Sequence, residues 1–348
     1  METPLSNTKR KILLVLSITL VVIGSCGSQL IARLYFVKGG SSIWLACFLQ
    51  AAGFPIILIP LLYSYFCRRK TEVHENAKLV YMKFSTFLGA VLIGLLLGGS
   101  NYLLSFGASR LPVSTGALIM STQLVFTALS AYVLVKHKFT LFSINAVVLL
   151  TVAAVALAMR SGGDRPMGES KKEYTLGFIM MFAAAATNGL IFPLVEFVYA
   201  KAKQALTYSF VMEVQFALGF AGTIFGLIGM LANHDFKAIP KEARGFELGE
   251  VVYYVVLVSN AILGQLFTLG AVGLIFCSSA LVSGVVVSLL LPVSQVLAVI
   301  FFHDKFTPEK GVSLVLCLWG SFSYFYGEYN ESKKQMDHKT PTNNPIEP

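Results

Sequence analysis

ILLVLSITLVVIGSCGSQLIARLY, residues 12–35, follows Lys9-Arg10-Lys11 and decides the fold. A helix rises 1.5 Å per residue and the hydrocarbon core of a bilayer is about 30 Å thick, so about 20 consecutive apolar residues cross it. The stretch has that length, and it lacks the small-residue cleavage pattern of a signal peptide, so it reads as a first membrane anchor. The same reading repeats along the chain, with spans at roughly 12–35, 41–65, 84–106, 112–135, 140–159, 176–199, 206–231, 251–273, 278–302 and 309–327. Of the 348 residues 55% are hydrophobic and 13% charged, with a mean hydropathy of +0.71. A soluble domain carries nearer a quarter charged residues. The hydrophobicity is therefore spent against lipid, and the expected class is an all-α integral membrane protein of about ten transmembrane helices.

The net charge of +9 does not point to nucleic acid, because the basic residues sit at span ends, as in Cys67-Arg68-Arg69-Lys70. There they anchor to headgroups and set topology. The cysteines form no C-x-x-C pair and mostly lie in apolar runs, so neither a disulfide framework nor a zinc site is expected. The connections are short except for 66–83, 160–175 and 232–250. The segments read as a cytosolic N-terminus (1–11), a first five-helix repeat (12–159), a connecting loop (160–175), a second five-helix repeat (176–328) and a disordered cytosolic tail (329–348). With the N-terminus inside, 15 of the 27 basic residues fall on the inner side. The first two inner segments hold eight, against three (Arg33, Lys38, Arg110) in the first two outer ones. Early segments dominate orientation, so both termini are expected in the cytosol.

The halves resemble each other. Phe106-Gly107-Ala108 precedes Pro112-Val113-Ser114-Thr115-Gly116-Ala117-Leu118, and that span ends Lys138-Phe139-Thr140. Leu269-Gly270-Ala271 precedes Phe276-Cys277-Ser278-Ser279-Ala280-Leu281, and that span ends Lys305-Phe306-Thr307. The offset is 163 at the start and 167 at the end, which places one extra helical turn inside the second copy's span. Five spans per half would make the copies enter from opposite sides, the inverted topology typical of secondary transporters; chance similarity among apolar segments rich in Ser, Gly and Ala is the alternative.

Polar groups at mid-span are costly unless they face other helices or water. Gln50, Gln123, Asn188, Gln265 and Ser288 lie near span centres, and Asn101 and Tyr102 lie in the outer half of the third span. They come from both halves at similar depth, as a substrate pocket at the repeat interface requires; as single residues they equally suit helix-bridging hydrogen bonds. Carboxamides match the donor–acceptor edge of a planar heterocycle. Trp44, Tyr102, Phe126, Phe192 and Phe267 can stack on a flat ring, although packing against lipid or other helices is the commoner role, and Trp44 begins a span where interface anchoring is the default. Among the acids only Glu196 and Glu213 lie clearly within apolar runs. An acid at such depth is placed to exchange a proton in the physiological range; pairing of Glu196 with Lys201 or Lys203 is the structural alternative. No nucleotide-binding loop, metal-ligand spacing or nucleophile–base motif is present, so neither an enzyme nor a cofactor is expected.

Several segments together resemble one family. They are GFPIILIPLL (53–62), LPVSTGALI (111–119) with Gln123 following, KFTLFSINAVVLLTV (138–152), SKKEYTLGF (170–178), PLVEFVY (193–199), LLPVSQVLAVIFFHDKFTPEKGVSL (290–314) and WGSFSYFYGE (319–328). The chain is similar in these to the plant purine permeases of the drug/metabolite transporter superfamily. The resemblance implies ten helices in two inverted five-helix repeats with both termini cytosolic. It also implies proton-coupled uptake of adenine-like bases, cytokinins and, in some members, alkaloids. The plasma membrane is the expected location, and the expected partners are a purine-like small molecule, protons and the lipid bilayer. Two alternatives stand beside this: a carrier of other heterocyclic metabolites working by exchange or facilitated diffusion, and a non-transporting receptor or scaffold.

The orientation is testable with epitope tags. Tags at either terminus are expected to be reached only from the cytosolic side, and a tag in 232–250 only from outside; labelling of a terminal tag in intact cells would reverse the topology.

Overall fold

The structure is a computed structural model that describes residues 7–62, 66, 82–135, 141–159, 170–202, 207–303, 306 and 308–339. Every element among these residues is helical: α1 (Asn7–Val37), α2 (Ile43–Ala52), a 3-10 turn (Phe54–Ile57), α3 (Phe84–Arg110), α4 (Val113–Ser121), α5 (Gln123–Val135), α6 (Leu141–Met159), α7 (Lys171–Lys201), α8 (Tyr208–Ala232), α9 (Asp235–Gly245), α10 (Glu250–Cys277), α11 (Ala280–Phe302) and α12 (Pro308–Lys339). Among the described residues, seven helices are long and apolar enough to cross a membrane. Three further apolar stretches, Leu141–Ala153, Ala280–Leu290 and Gly311–Gly327, are shorter within the described residues. The chain is an all-helical, multi-pass membrane protein.

Local chemistry sets the helix starts. Ser170 and Glu173 form a reciprocal capping box at α7, and the hydroxyls of Thr207 and Ser279 accept from the amides of Phe210 and Val282 at the starts of α8 and α11. Two spans read as continuous from sequence are broken in the structure. α2 stops at Ala52, and the chain passes through the 3-10 turn before helical backbone resumes at 58–62. Pro55 brings no N–H and its ring clashes with the carbonyl four residues back, which a regular helix cannot absorb. The second break falls between α4 and α5, where the Ser121 and Thr122 hydroxyls donate to the Leu118 and Ile119 carbonyls at 2.6 and 2.7 Å. Side chains thus satisfy carbonyls near the break that hydrocarbon could not.

Helices meet where glycines let backbones approach. α1 packs along α10, α3 against α7 and α8, α2 against α8, α5 against α7, and α6 against α12. A methyl group at Gly270 of α10 would lie 2.8 Å from both the Ser17 carbonyl oxygen and the Val21 amide nitrogen of α1. On α8, Gly219, Gly222, Gly226 and Gly229 present their bare faces to Phe54, Ala51, Phe48 and Trp44. Lipid supplies no hydrophobic drive between helices, so this close contact is what holds them.

Two parts of the chain depart from the sequence reading. The tail expected to be disordered from 329 continues as α12 to Lys339, while 340–348 lie outside the described residues. No Gly or Pro follows Gly327 before Lys339, and an already nucleated helix extends readily through such residues. The 232–250 connection, read as a loop, contains α9. Its Ala243, with Phe246 just beyond, packs on Tyr35, Leu45, Met230 and Tyr253.

Glu242 of α9 ties this helix to the α1–α2 turn. Its carboxylate accepts from the hydroxyls of Tyr35, Ser41 and Ser42, each at 2.7 Å, from the Ser41 amide at 3.2 Å and from the Tyr253 hydroxyl at 3.1 Å. Burial works against the charge, but the Ser42, Tyr35 and Ser41 donors outweigh it and hold the carboxyl below its usual range. A carboxyl whose folded pKa is depressed stabilises fully above its unfolded value and loses that contribution as pH falls through the folded one. α9 docking is therefore expected to be intact at neutral pH and to weaken only in acid. Glu242→Gln should lower stability by about 1–3 kcal/mol at neutral pH and flatten the acid dependence. Hydrogen exchange at 235–245 in nanodiscs reads both effects, and wild-type protection there with unchanged pH dependence would remove this role.

Candidate functional site

A cavity of about 140 Å³ lies where α1, α3, α4, α7 and α10 converge, with Val287 of α11, Leu218 of α8, Gln50 of α2 and Gln123 of α5 completing the wall. Each helix contributes one face. On α3 the lining residues are Leu97, Asn101, Leu104, Ser105 and Ala108, and on α1 they include Ser25, Ser28, Gln29, Ala32 and Arg33, both at helical spacing. Most of the wall is apolar, with a few polar groups aimed inward, the usual make-up of a small-molecule site.

Four of the carboxamides singled out from sequence come together here: Gln50, Asn101, Gln123 and Asn188. Gln50 donates Nε2 to Ser105 Oγ at 2.9 Å, which leaves its carbonyl oxygen as the acceptor. Asn101 is 8% exposed and Gln123 3%, yet neither side chain forms a hydrogen bond to another described residue. A buried amide without a partner is costly, and a ligand carrying donors and acceptors would satisfy it. Phe192 and Phe267, two of the stacking candidates, also line the cavity.

The other candidates lie outside the lining. Trp44 stacks on Tyr102 with ring centroids 4.2 Å apart and an interplanar angle of 29°, and Trp44 also faces Phe225. Phe126 meets Phe182 edge-on at 5.5 Å. Gln265 and Ser288 are buried, with Gln265 Nε2 and Ser288 Oγ lacking hydrogen-bond partners, as do both amide atoms of Gln215.

The two deep acids each hold a backbone amide. Glu196 of α7 accepts from the amide of Ala280, the first residue of α11, at 2.8 Å. Glu213 of α8 is 4% exposed and accepts from the Met82 amide at 2.8 Å, just before α3. Lys201 lies over the Phe197 ring at 4.4 Å, and Lys203 is outside the described residues. Beside the Glu196 contact, the Arg10 guanidinium donates to the Cys277 carbonyl through Nε at 3.0 Å and Nη2 at 2.7 Å. The α10–α11 junction, Ser278-Ser279, is thus held from α1 on one side and from α7 on the other.

Sequence reading missed the contribution of α1. Arg33, counted there among outer-segment charges, sits inside α1 and lines the cavity with Gln29. The signal was legible: Ser25, Ser28, Gln29, Ala32 and Arg33 recur at intervals of three and one, a polar or small stripe on one face of an otherwise apolar span.

Comparison with known proteins adds the family. Residues 12–334 match the family model described as purine nucleobase transmembrane transport. The chain is 50% identical over 332 residues to Purine permease 3 of Arabidopsis thaliana, covering 94% of this chain and 95% of that one. It is 49% identical to Purine permease 2 of the same plant, covering 95% and 96%, and 35% identical to Purine permease 21, covering 97% and 86%. One solved crystal structure superimposes with a TM-score of 0.56 over 94% of this chain and the whole of its own, at 12% identity, a likeness of fold alone. A helical bundle around an amide-lined cavity, matched over nearly its whole length, belongs to the purine nucleobase transmembrane transport family.

Proposed function

We propose that this protein is a proton-coupled importer of purine nucleobases such as adenine and of purine derivatives such as cytokinins, acting at the plasma membrane. The observation that carries the reading is the pair Asn101 and Gln123: both more than nine-tenths buried, both facing the cavity, both without a protein hydrogen-bond partner among the described residues. A purine edge alternates donors and acceptors, as a carboxamide does, and Phe192 and Phe267 offer faces to a flat ring. Gln50 and Asn188 extend the polar set across both halves of the chain.

The ten-span, two-repeat architecture belongs to the same proposal, with the seven long helices and three shorter apolar stretches as its ten spans. Exchanging the halves maps the α1–α10 pair onto α3–α7 and α1–α11 onto α5–α7, and maps α2–α8 and α6–α12 onto themselves; these are pairs in contact. α4 and α11 begin 167 residues apart, at Val113 and Ala280. That is already the offset of the Lys-Phe-Thr ends, so on this alignment the extra turn lies at the end of α10 before the junction, not within α11. The two glutamates supply a route to coupling. A carboxylate holds a backbone amide more strongly than a neutral carboxyl does. Protonation of Glu196 or Glu213 would therefore loosen the start of α11 or the approach to α3, and proton release to the cytosol would restore it.

Two experiments test this. Gln123→Ala, Asn101→Ala and Asn188→Ala are expected each to weaken adenine binding by roughly 2- to 13-fold with near-normal surface expression; unchanged affinity in all three would leave these residues as helix bridges. Glu213→Gln is expected to abolish adenine accumulation driven by an inward proton gradient in proteoliposomes while equal-pH exchange persists, with Glu196→Gln examined alongside. If both variants still concentrate adenine with normal pH dependence, neither carries the proton, and exchange or facilitated diffusion becomes the reading.

A further inference from the structure

We infer that the cavity holds a separate subsite for an apolar substituent of its ligand, between Gly116 of α4 and Met181 of α7, and that the missing side chain of Gly116 sets how large that substituent can be. The inference rests on the cavity being the substrate site. It deepens that reading by assigning the group that a substrate carries to one end of the wall.

Two apolar clusters bracket the carboxamides. Met120 and Met181, with Leu104 packed against their cluster, belong to one; Phe192 and Val195, with Leu97 packed against theirs, belong to the other, and all six line the cavity. Along α3 the order is Leu97, Asn101, Leu104, and along α7 it is Met181, Asn188, Phe192. The two helices run antiparallel, with Gly107 against Met181 and Gly89 against Val198. Asn101 and Asn188 therefore lie at one level, with one apolar cluster on each side. At 1.5 Å per residue, Met181 stands about 10 Å from Asn188 along α7.

The two ends offer different things. Phe192 and Phe267, the two aromatic rings able to stack on a ligand, both pack in the Val195 cluster, so a flat ring held by the amides lies toward that end. The other end is lined by methionines, whose unbranched thioether chains adapt to an irregular apolar group. It also has a bare spot. Gly24, Gly116 and Gly264 all line the cavity, but a Cβ added at Gly24 would run into the Phe267 backbone, and one at Gly264 into the Gln50 backbone. At Gly116 the same carbon meets, among the described residues, only Met181 Cε within 4 Å, at 3.2 Å, and that methyl is the movable end of a side chain. Gly24 and Gly264 thus seat helices, whereas Gly116 leaves room in the wall. Arg33 of α1 brings charge to the Ala108 carbonyl oxygen, 3.4 Å from Nη1, so the apolar surface at this end is the α4–α7 face. The 6-amino group of a purine belongs to an edge that a carboxamide can pair with, so an alkyl chain on it starts in the amide layer and is directed toward Gly116 and Met181.

The test has two arms. In the first, 6-methylaminopurine and 6-propylaminopurine compete with labelled adenine on purified protein. A methylene buried against an apolar wall strengthens binding by up to about fourfold, so the propyl compound is expected to bind at least about threefold more tightly than the methyl one. Gly116→Val is expected to invert that order, and Gly116→Ala to fall between. Equal binding of the two compounds by the Gly116 protein, or a preference for propyl that survives in Gly116→Val, overturns the inference. Should Gly116→Val bind neither compound, Gly116→Ala decides, and a ratio it leaves unmoved overturns the inference.

The second arm needs no purine. Gly116→Cys is treated with propyl or 2-hydroxyethyl methanethiosulfonate, which differ by a methyl against a hydroxyl. Modification at position 116 is followed by peptide mass spectrometry, and each rate is normalised to a free thiol. The propyl reagent is expected to react about threefold faster or more. A thiol inert to both reagents, or one no faster with propyl, overturns the inference. If labelled adenine does not bind at all, the nucleobase reading fails while the thiol rates still decide whether the Gly116 face takes an apolar group.

Discussion

The hydrocarbon interior offers no partner to a backbone amide and no hydrophobic gain to helices that touch. Every spanning segment must close its own hydrogen bonds, and every helix pair must be held by contact alone. In this protein contact is bought with missing side chains. Gly24, Gly27 and Gly270 seat α1 against α10, Gly94 and Gly98 seat α3 against α8, and the glycine row of α8 receives α2. Because these backbones meet so closely, the helices converge at fixed angles and leave a defined space between α1, α3, α7 and α10. The cavity is the remainder of that packing.

What fills the wall follows from the same medium. A carboxamide buried in a bilayer protein is tolerated when it bridges helices or meets a ligand. Gln50 does part of the first by donating to Ser105, whereas Asn101 and Gln123 keep their hydrogen-bonding capacity turned into the cavity. Arg33, half-buried near the end of α1, lines the same cavity. The acids differ: Glu196 and Glu213 hold amides at junctions where a helix begins. Cavity-facing groups and junction-holding groups are thus separate sets of residues on shared helices.

The breaks in the spans matter to this geometry. Pro55 ends regular helix after α2, next to Gly53, whose bare face receives Ala261 and Gln265 of α10. Thr122 separates α4 from α5 immediately before Gln123, so the break sets where the most deeply buried cavity amide sits. Both devices use local side chains to repair what the irregular backbone exposes.

The sequence by itself determined the medium, the class of fold and the family, because apolar length is a local property that lipid reads directly. It also determined which residue types had to be explained: amides at mid-span and two isolated glutamates. It could not sort them. Gln265 and Ser288 are as polar and as deep as Gln123, yet they lie outside the cavity wall. Trp44 and Tyr102 stack on each other, outside that wall. Arg33, read as a charge on an outer segment, is part of the wall. Only the tertiary structure decided these, because which face of a helix meets the cavity depends on its rotation. That rotation is fixed by the glycines and partners of helices far away in the chain, not by the residues beside it.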